Sequence, residues 1–352
     1  MTDNQLSQAA TALFDEFCSW ETVGRAESAG WAGELWQILQ RTGFTDVPVP
    51  DSLGGSDGSV ADAAQLLRTA GAHGAPVPLA EAGLIGGWLL TAAGLSLPDG
   101  VRTALPPSAG SLRLEGDRLF GTVSAVAWGH RAHYVVGLVD GVVIVAPGPA
   151  ATNQRPAVSR AVNLADEARD TLTFDGVPVT GLAAAPEGVT EDSLADRAAL
   201  ARAALMAGAL SAVADLTLRY SRDRRQFGRP IGEFQAVKAH LVTVHQQARL
   251  ATEAVDGAVC ALERGRGGFE IACAKVIANL AAVAGSRAAH QVHGAIGMTR
   301  EYPLQYLTRR LWAWRDEAGG HKHWADRLGA ALVEAGPDAL YPAIQSGMEV
   351  FQ

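Results

Sequence analysis

Apolar positions in the first part of the chain recur every three to four residues: Leu6, Ala10, Leu13, Phe14 and Phe17, then Trp31, Leu35, Ile38 and Leu39, then Val60, Ala63, Ala64, Leu67 and Ala70. That spacing places each set on one helix face and predicts an α-helical domain over residues 1–105. Two stretches interrupt it, Val47-Pro48-Val49-Pro50-Asp51-Ser52-Leu53-Gly54-Gly55 and Gly74-Ala75-Pro76-Val77-Pro78, where proline and glycine stop helices.

The period then shortens to two. Leu112 and Leu114 and the runs at 119–123, 133–138, 142–146 and 171–174 favour strands, and Asp140-Gly141 is a hairpin turn signal. Residues 106–186 are therefore predicted to form a small antiparallel sheet or barrel. From Thr190 the helical period returns, with Glu191 and Asp192 suited to a first turn. Four long helices are predicted near 191–222, 232–264, 268–292 and 303–330. Gly228-Arg229-Pro230, Gly265-Arg266-Gly267-Gly268 and Gly294-Ala295-Ile296-Gly297 separate them. Alanine-rich interiors at 198–209 and 278–289 permit close approach, so residues 187–352 read as a four-helix bundle. The expected fold class is mostly α with a small β domain: N-terminal helical domain, middle antiparallel β domain, C-terminal four-helix bundle.

Composition sharpens this picture. With 352 residues, 48% of them hydrophobic and 19% charged, the chain is folded and exceeds one usual core. Twenty-nine Lys+Arg against 37 Asp+Glu leave a net charge of −8, which argues against a nucleic-acid or anionic-membrane binder. The longest apolar-leaning stretch, residues 83–97, is shorter than the roughly 20 residues a bilayer helix needs, so no membrane span is expected. No basic stretch leads into an apolar run after Met1, so no secretory signal is read and a cytoplasmic location is expected. Cys18, Cys260 and Cys273 lie far apart and are expected to be buried reduced thiols. His321-Lys322-His323 puts its histidines on different sides of a helix, at the surface, and no metal site is expected. Trp312, Trp314 and Trp324 are expected in the bundle core or a subunit interface. There is no P-loop, no Gly-x-Gly-x-x-Gly and no His-Glu-x-x-His, which weighs against the common nucleotide folds and zinc peptidases.

Two segments carry candidate chemistry. Arg219, Arg222, Arg224, Arg225 and Arg229 cluster in an otherwise acidic chain, beside Phe227, and end at Gln235. Guanidinium groups bind phosphates through paired donors, and a flat ring can pack on Phe227. A solvated helix end, where arginines meet C-terminal carbonyls, has the same composition. The second segment, Gln291-Val292-His293-Gly294-Ala295-Ile296-Gly297 and then Glu301-Tyr302-Pro303, has glycines that let backbone N–H groups face outward, and an amide that both donates and accepts. A plain helix-turn-helix reads alike.

Taken together, these residues resemble the acyl-CoA dehydrogenase family. The resemblance rests on Tyr220-x-x-x-Arg224-x-x-Phe227-Gly228 with Gln235, followed by Gln291-x-x-Gly294-x-x-Gly297 and Glu301-Tyr302-Pro303, in the family's order. Val49-Pro50-Asp51-Ser52-Leu53-Gly54-Gly55 is similar to its N-terminal Pro-Glu-x-x-Gly-Gly loop. It extends over residues 1 to about 330, strongest after 190, and the family's helical, β, helical order agrees with the periodicity.

The resemblance implies an FAD-dependent oxidoreductase that removes hydrogens from Cα and Cβ of an acyl-CoA thioester. Arg224 and Gln235 would hold the FAD diphosphate and adenosine region, with Phe227 packed beside them. Gln291, Val292, His293, Gly294 and Ala295 would present backbone and side chain to the same cofactor. In the family both segments reach the FAD of a neighbouring subunit, so a dimer or tetramer is implied. Asp196 falls where the family lines its substrate channel. Counted from Tyr302-Pro303, the family's catalytic glutamate falls on Ala318 and Glu317 lies one residue earlier, with Asp316 as a rival. Glu317 reads either as that base or as a solvated helix-end carboxylate. Two stretches depart from the family pattern around the flavin ring. Pro106-Pro107-Ser108-Ala109-Gly110-Ser111 is an echo of one, and Ala125-Val126-Ala127-Trp128-Gly129 replaces the other, with Ala127 where a hydroxyl would face flavin N5.

Three functional readings follow: a self-sufficient dehydrogenase, a partner subunit lending FAD contacts to a homologous companion chain, and a flavin-free helical scaffold. Fatty or sterol-like acyl chains, and oxygen or an electron-transfer flavoprotein as electron acceptor, all stay open.

Overall fold

The strongest local signals become the longest elements of the computed structural model, which describes residues 3–107 and 111–346. In chain order the helices are α1 (Asp3–Phe17), α2 (Trp20–Ala29), α3 (Gly33–Arg41), α4 (Val60–Ala72), a π-helix at Glu81–Gly87 leading into α5 (Trp88–Ala92), α6 (Glu191–Asp223), α7 (Gln235–Glu263), α8 (Gly268–His293), α9 (Leu304–Asp316), α10 (His321–Ala335) and α11 (Leu340–Ser346). Between α5 and α6 lie β1 (Arg102–Ala104), β2 (Arg113–Glu115), β3 (Arg118–Ala127), β4 (Tyr134–Val139), β5 (Val142–Pro147), β6 (Ala157–Ser159), β7 (Arg169–Pro178) and β8 (Gly181–Ala184). Two further short strands, β9 (Arg225–Gln226) and β10 (Arg229–Pro230), follow α6.

The chain divides into two compact units. The first contains Thr22–Ala63 and Pro76–Ala201. Its strands form two four-stranded sheets, ordered β1-β4-β5-β8 and β2-β3-β7-β6. Leu119, Val123, Leu172 and Phe174 of one sheet and Val135, Val139 and Ile144 of the other share a single buried core. The expected hairpin closes at Asp140 and Gly141, both at positive φ (51° and 74°), as its tight turn requires. One pairing departs from the expected antiparallel pattern: β1 runs parallel to β4. Only three residues long, β1 offers too little alternation for its direction to be read.

The second unit contains Ser7–Glu21, Ala64–Ala75 and the chain from Arg202 onward. In it α7 and α8 pack along their length and α8 also carries α9 and α10. The α4–α6 crossing requires glycine on both sides. A Cβ on Gly208 would stand 1.8 Å from the Arg68 carbonyl oxygen, and one on Gly71 would stand 2.0 Å from that of Leu205. The capping residue of α6 is Thr190, whose Oγ1 accepts from the Ser193 N–H while Ser193 Oγ accepts from the Thr190 N–H.

Three expectations are corrected. The single helix predicted over 303–330 is two, because residues 317–320 leave the helix: Ala318 and Gly319 take φ of 52° and 88°. The Trp324 indole N–H fixes that turn by donating to the Ala318 carbonyl at 2.8 Å. A Cβ on Gly319 would lie 2.4 Å from the same indole nitrogen. Cys260 is exposed and Cys273 half-buried; of the three thiols only Cys18 is buried. Residues 83–97 are not the longest apolar stretch: Glu191–Asp223 and Gly268–Met298 each contain an 18-residue window, of mean hydropathy 1.5 and 1.4, in a helix long enough to cross a membrane. Of those windows 83% and 61% are buried inside the fold, which is the pattern of bundle-core helices.

Candidate functional site

Arginines at the end of α6 and the glutamine at the end of α8 reach the same end of the bundle through aromatic stacking. Tyr220, one turn before Arg224, stacks on His293 with ring centroids 4.5 Å apart. Tyr302 closes the group, 4.9 Å from His293 and 5.6 Å from Tyr220. His293 Nδ1–H donates to the Ala289 carbonyl at 2.9 Å, and burial pushes its pKa down. Burial likewise pushes the Tyr302 phenol up. Val292 and His293 are buried. Of the second motif, Gln291, Gly294, Ala295 and Glu301 are exposed.

Beyond Asp223 the chain forms the β9–β10 hairpin, with Phe227 and Gly228 at its tip. Phe227 has φ of 51°, a left-handed conformation that costs a side-chain-bearing residue about 1–2 kcal/mol. Its ring is 90% exposed and meets Phe234 edge-on at 6.0 Å, while the Arg229 guanidinium lies 4.2 Å over Phe234. Arg224, Arg225, Arg229, Gln235 and Gln291 are all exposed. This donor set suits a dianionic diphosphate: guanidinium forks, amides, and an apolar ring offered to solvent at a conformational cost. Between α7 and α8 runs a groove of about 790 Å3, lined by His240, Thr243, Leu280, Ala284, Arg287 and, at one end, Gln291.

Glu317 lies elsewhere in the same unit, as the extended residue that ends α9 (φ −79°, ψ 150°). Arg202 Nε donates to its Oε2 at 2.8 Å, with side chains only 9% and 19% exposed. Asp316 instead pairs with its neighbour Arg315 at the surface. Behind Glu317, Lys275 of α8 is wholly buried. Composition did not single out Arg202 or Lys275. The available signal was a lone charge inside an alanine-rich apolar run, which has to find a partner once buried. Trp314 and Trp324 are core residues, and His321 and His323 are exposed.

In the first unit Asp196 is half-buried on α6. Beside it, Arg197 lies 4.9 Å over the Trp88 ring, and burial pushes its pKa down to about 10. Ala127 is buried at the end of β3, its carbonyl accepting from Thr103 Oγ1 at 2.6 Å, and Trp128 follows at φ 47°. Ala127 carries no hydroxyl. Residues 108–110 of the other flavin-ring stretch lie outside the described residues.

Helices, then two four-stranded sheets, then a helical bundle follow one another along the chain. The sequence profile of the "Acyl-CoA dehydrogenase, C-terminal domain" matches residues 191–319. Acyl-CoA dehydrogenase IpdE2 of Mycolicibacterium smegmatis is 30% identical over 318 residues, covering 87% of this chain and 90% of its own. Acyl-CoA dehydrogenase FadE28 of Mycobacterium tuberculosis is 30% identical over 326 residues, covering 84% and 91%. The fold is shared with the ChsE4-ChsE5 complex of Mycobacterium tuberculosis, at a TM-score of 0.85 and 22% identity over 95% of this chain and 98% of that one. The chain belongs to the acyl-CoA dehydrogenase family, whose members are FAD-dependent flavoproteins.

Proposed function

We propose that this chain is an FAD-dependent oxidoreductase subunit that takes part in α,β-dehydrogenation of an acyl-CoA thioester, within a dimer or tetramer. The observation that carries this reading is the Tyr220–His293 stack at 4.5 Å, which sets both cofactor motifs at one end of the bundle. Arg224 and Gln235 hold the diphosphate and adenosine region of FAD, and Phe227 packs beside it. Gln291 adds its amide, and residues 292–295 add backbone groups. An exposed aromatic on a strained hairpin is a poor feature for a free surface and a good one for insertion against a neighbour. That supports a cofactor shared across a protomer contact, with the α7–α8 groove as part of the assembly surface.

When bound, FAD supplies the acceptor for the hydride equivalent that leaves Cβ. The chain's own part is to take the α-proton and to keep water out. Glu317 is the carboxylate for this, oriented by the Arg202 Nε–H at 2.8 Å. The α-carbon is a weak acid, so its deprotonation also needs donors to the thioester oxygen and a dry site. Asp196 lines the channel for the thioester.

A second reading has specific support. Proton uptake by Glu317 would break its 2.8 Å ion pair with Arg202, which weakens Glu317 as a base. Together with Ala127 in place of a hydroxyl, this favours a partner subunit that lends Arg224, Gln235 and Gln291 to FAD in a homologous companion chain. An electron-transfer flavoprotein fits either reading as electron acceptor. Flavin content of the chain purified alone, and then co-expressed with homologous chains, separates them: flavin in the lone chain supports the first, flavin only after co-expression the second.

A further inference from the structure

Lys275 sits in α8 with no solvent exposure, among the buried residues Ile271, Ala274 and Ala278. A buried ammonium is costly unless each N–H finds an acceptor. Here all three do: Asn279 Oδ1 at 2.8 Å and the carbonyl oxygens of Trp314 and Arg315, each at 3.0 Å. The last two are terminal carbonyls of α9, which no helical N–H can satisfy, and they stand three and two residues before Glu317. Arg202 holds Glu317 from α6. Two separate helices thus fix the turn that carries the carboxylate.

We propose that Lys275 is a positioning residue for Glu317: by capping the C-terminus of α9 it sets where that helix ends, and so where the carboxylate stands. Its bearing on catalysis rests on the reading of Glu317 as the base; the positioning itself does not. The charged groups facing Lys275 are Glu317, Asp316 and Arg315 at the end of α9 and Arg202 on α6. Among the described residues no titratable group of α7 or α10 joins them. Burial is the largest influence and pushes the ammonium down to about 7, with Glu317 pulling the other way. An ammonium serves three acceptors, whereas a neutral amine serves two and turns a lone pair toward the third. That loss is outweighed by desolvation, the largest influence: a turn that opens returns Lys275 to water and its usual proton affinity, so the capped turn gains on the open one as pH rises above about 7.

Amide hydrogen exchange on the full chain, corrected for intrinsic rates, tests this. Protection of residues 314–320 in the wild type should rise about tenfold between about pH 7 and about pH 8.5, while α7 keeps its protection. Lys275→Met should lack that pH dependence and sit about tenfold below wild type at the alkaline end. Wild-type protection of 314–320 in Lys275→Met, or a flat wild-type profile, would overturn the proposal. Should the variant not fold, titration of the 15N-labelled lysine Nζ in the wild type decides. A buried resonance with a midpoint near 7 that moves in Glu317→Gln supports the proposal, and one indifferent to that change contradicts it. Undiminished flavin reduction in Glu317→Gln would remove the base reading and leave the exchange result standing.

Discussion

Arg202 and Glu317 form a largely buried ion pair, Nε to Oε2 at 2.8 Å, that joins the core of α6 to the turn after α9. The pair holds the carboxylate in one orientation, and taking up a proton there would break the ion pair. Under the proposed base role, how far that cost slows proton removal decides between a self-sufficient enzyme and a partner subunit.

Glu317→Gln should leave FAD bound and slow flavin reduction by acyl-CoA about 10^2–10^4-fold, the usual worth of a positioned general base. Rapid-mixing absorbance at the flavin band reads this directly. An unchanged rate would assign proton removal to another group. Arg202→Met should destabilise the fold by about 2 kcal/mol, below the usual cost of breaking a buried pair because Glu317 keeps some exposure. Urea midpoints at neutral pH measure it.

The buried Lys275 makes stability depend on pH. Burial pushes its folded-state pKa down to about 7, from an ordinary 10.5. The unfolded chain therefore binds more protons between those values, and this group's contribution improves as pH rises from about 7 toward about 10. Below that window both states are protonated and the folded state bears the full cost of the buried charge. The melting-temperature difference between wild type and Lys275→Met should accordingly move in favour of wild type across the window. A difference independent of pH would show that Lys275 keeps its proton throughout.

Gly208→Ala should be among the most damaging small substitutions in the bundle. The added Cβ would meet the Arg68 carbonyl oxygen at 1.8 Å, so α4 and α6 must separate. A loss of about 3 kcal/mol or more is expected from overpacking of this kind, readable in thermal unfolding.

Phe227 separates stability from binding. Phe227→Gly should stabilise the free chain by about 1 kcal/mol by removing the strain at φ 51°. The same change should weaken flavin retention and oligomer formation, because the exposed ring is lost. Arg224→Ala should weaken retention by about 10–100-fold with little effect on melting, as expected for an exposed charge-assisted contact.

Much of this was legible from periodicity alone. The ends of α6, α7 and α8 fall close to the predicted boundaries because glycine and proline punctuate long apolar stripes. The break at 317–320 was not legible. Leu304, Leu307, Leu311 and Trp314 set a helical spacing that Trp324 and Leu328 can continue, and the turn is fixed by a tertiary bond from Trp324 to Ala318. For Arg202 and Lys275, sequence announces a buried charge but not its partner, since Glu317 and the carbonyls of Trp314 and Arg315 lie far along the chain. Burial of Val292 and His293 was likewise hidden, because the stacking of Tyr220 on His293 depends on where α6 and α8 meet.

The central claim is that Arg224 and Gln291 of this chain hold the nucleotide end of FAD at a contact between protomers. Visible absorbance recorded together with native mass, on the chain alone and co-expressed with homologous chains, tests it most directly. The account predicts flavin absorbance only in an oligomer, lost with Arg224→Ala while the fold persists. Stoichiometric flavin on a monomer, or no flavin in any oligomeric preparation, would contradict it.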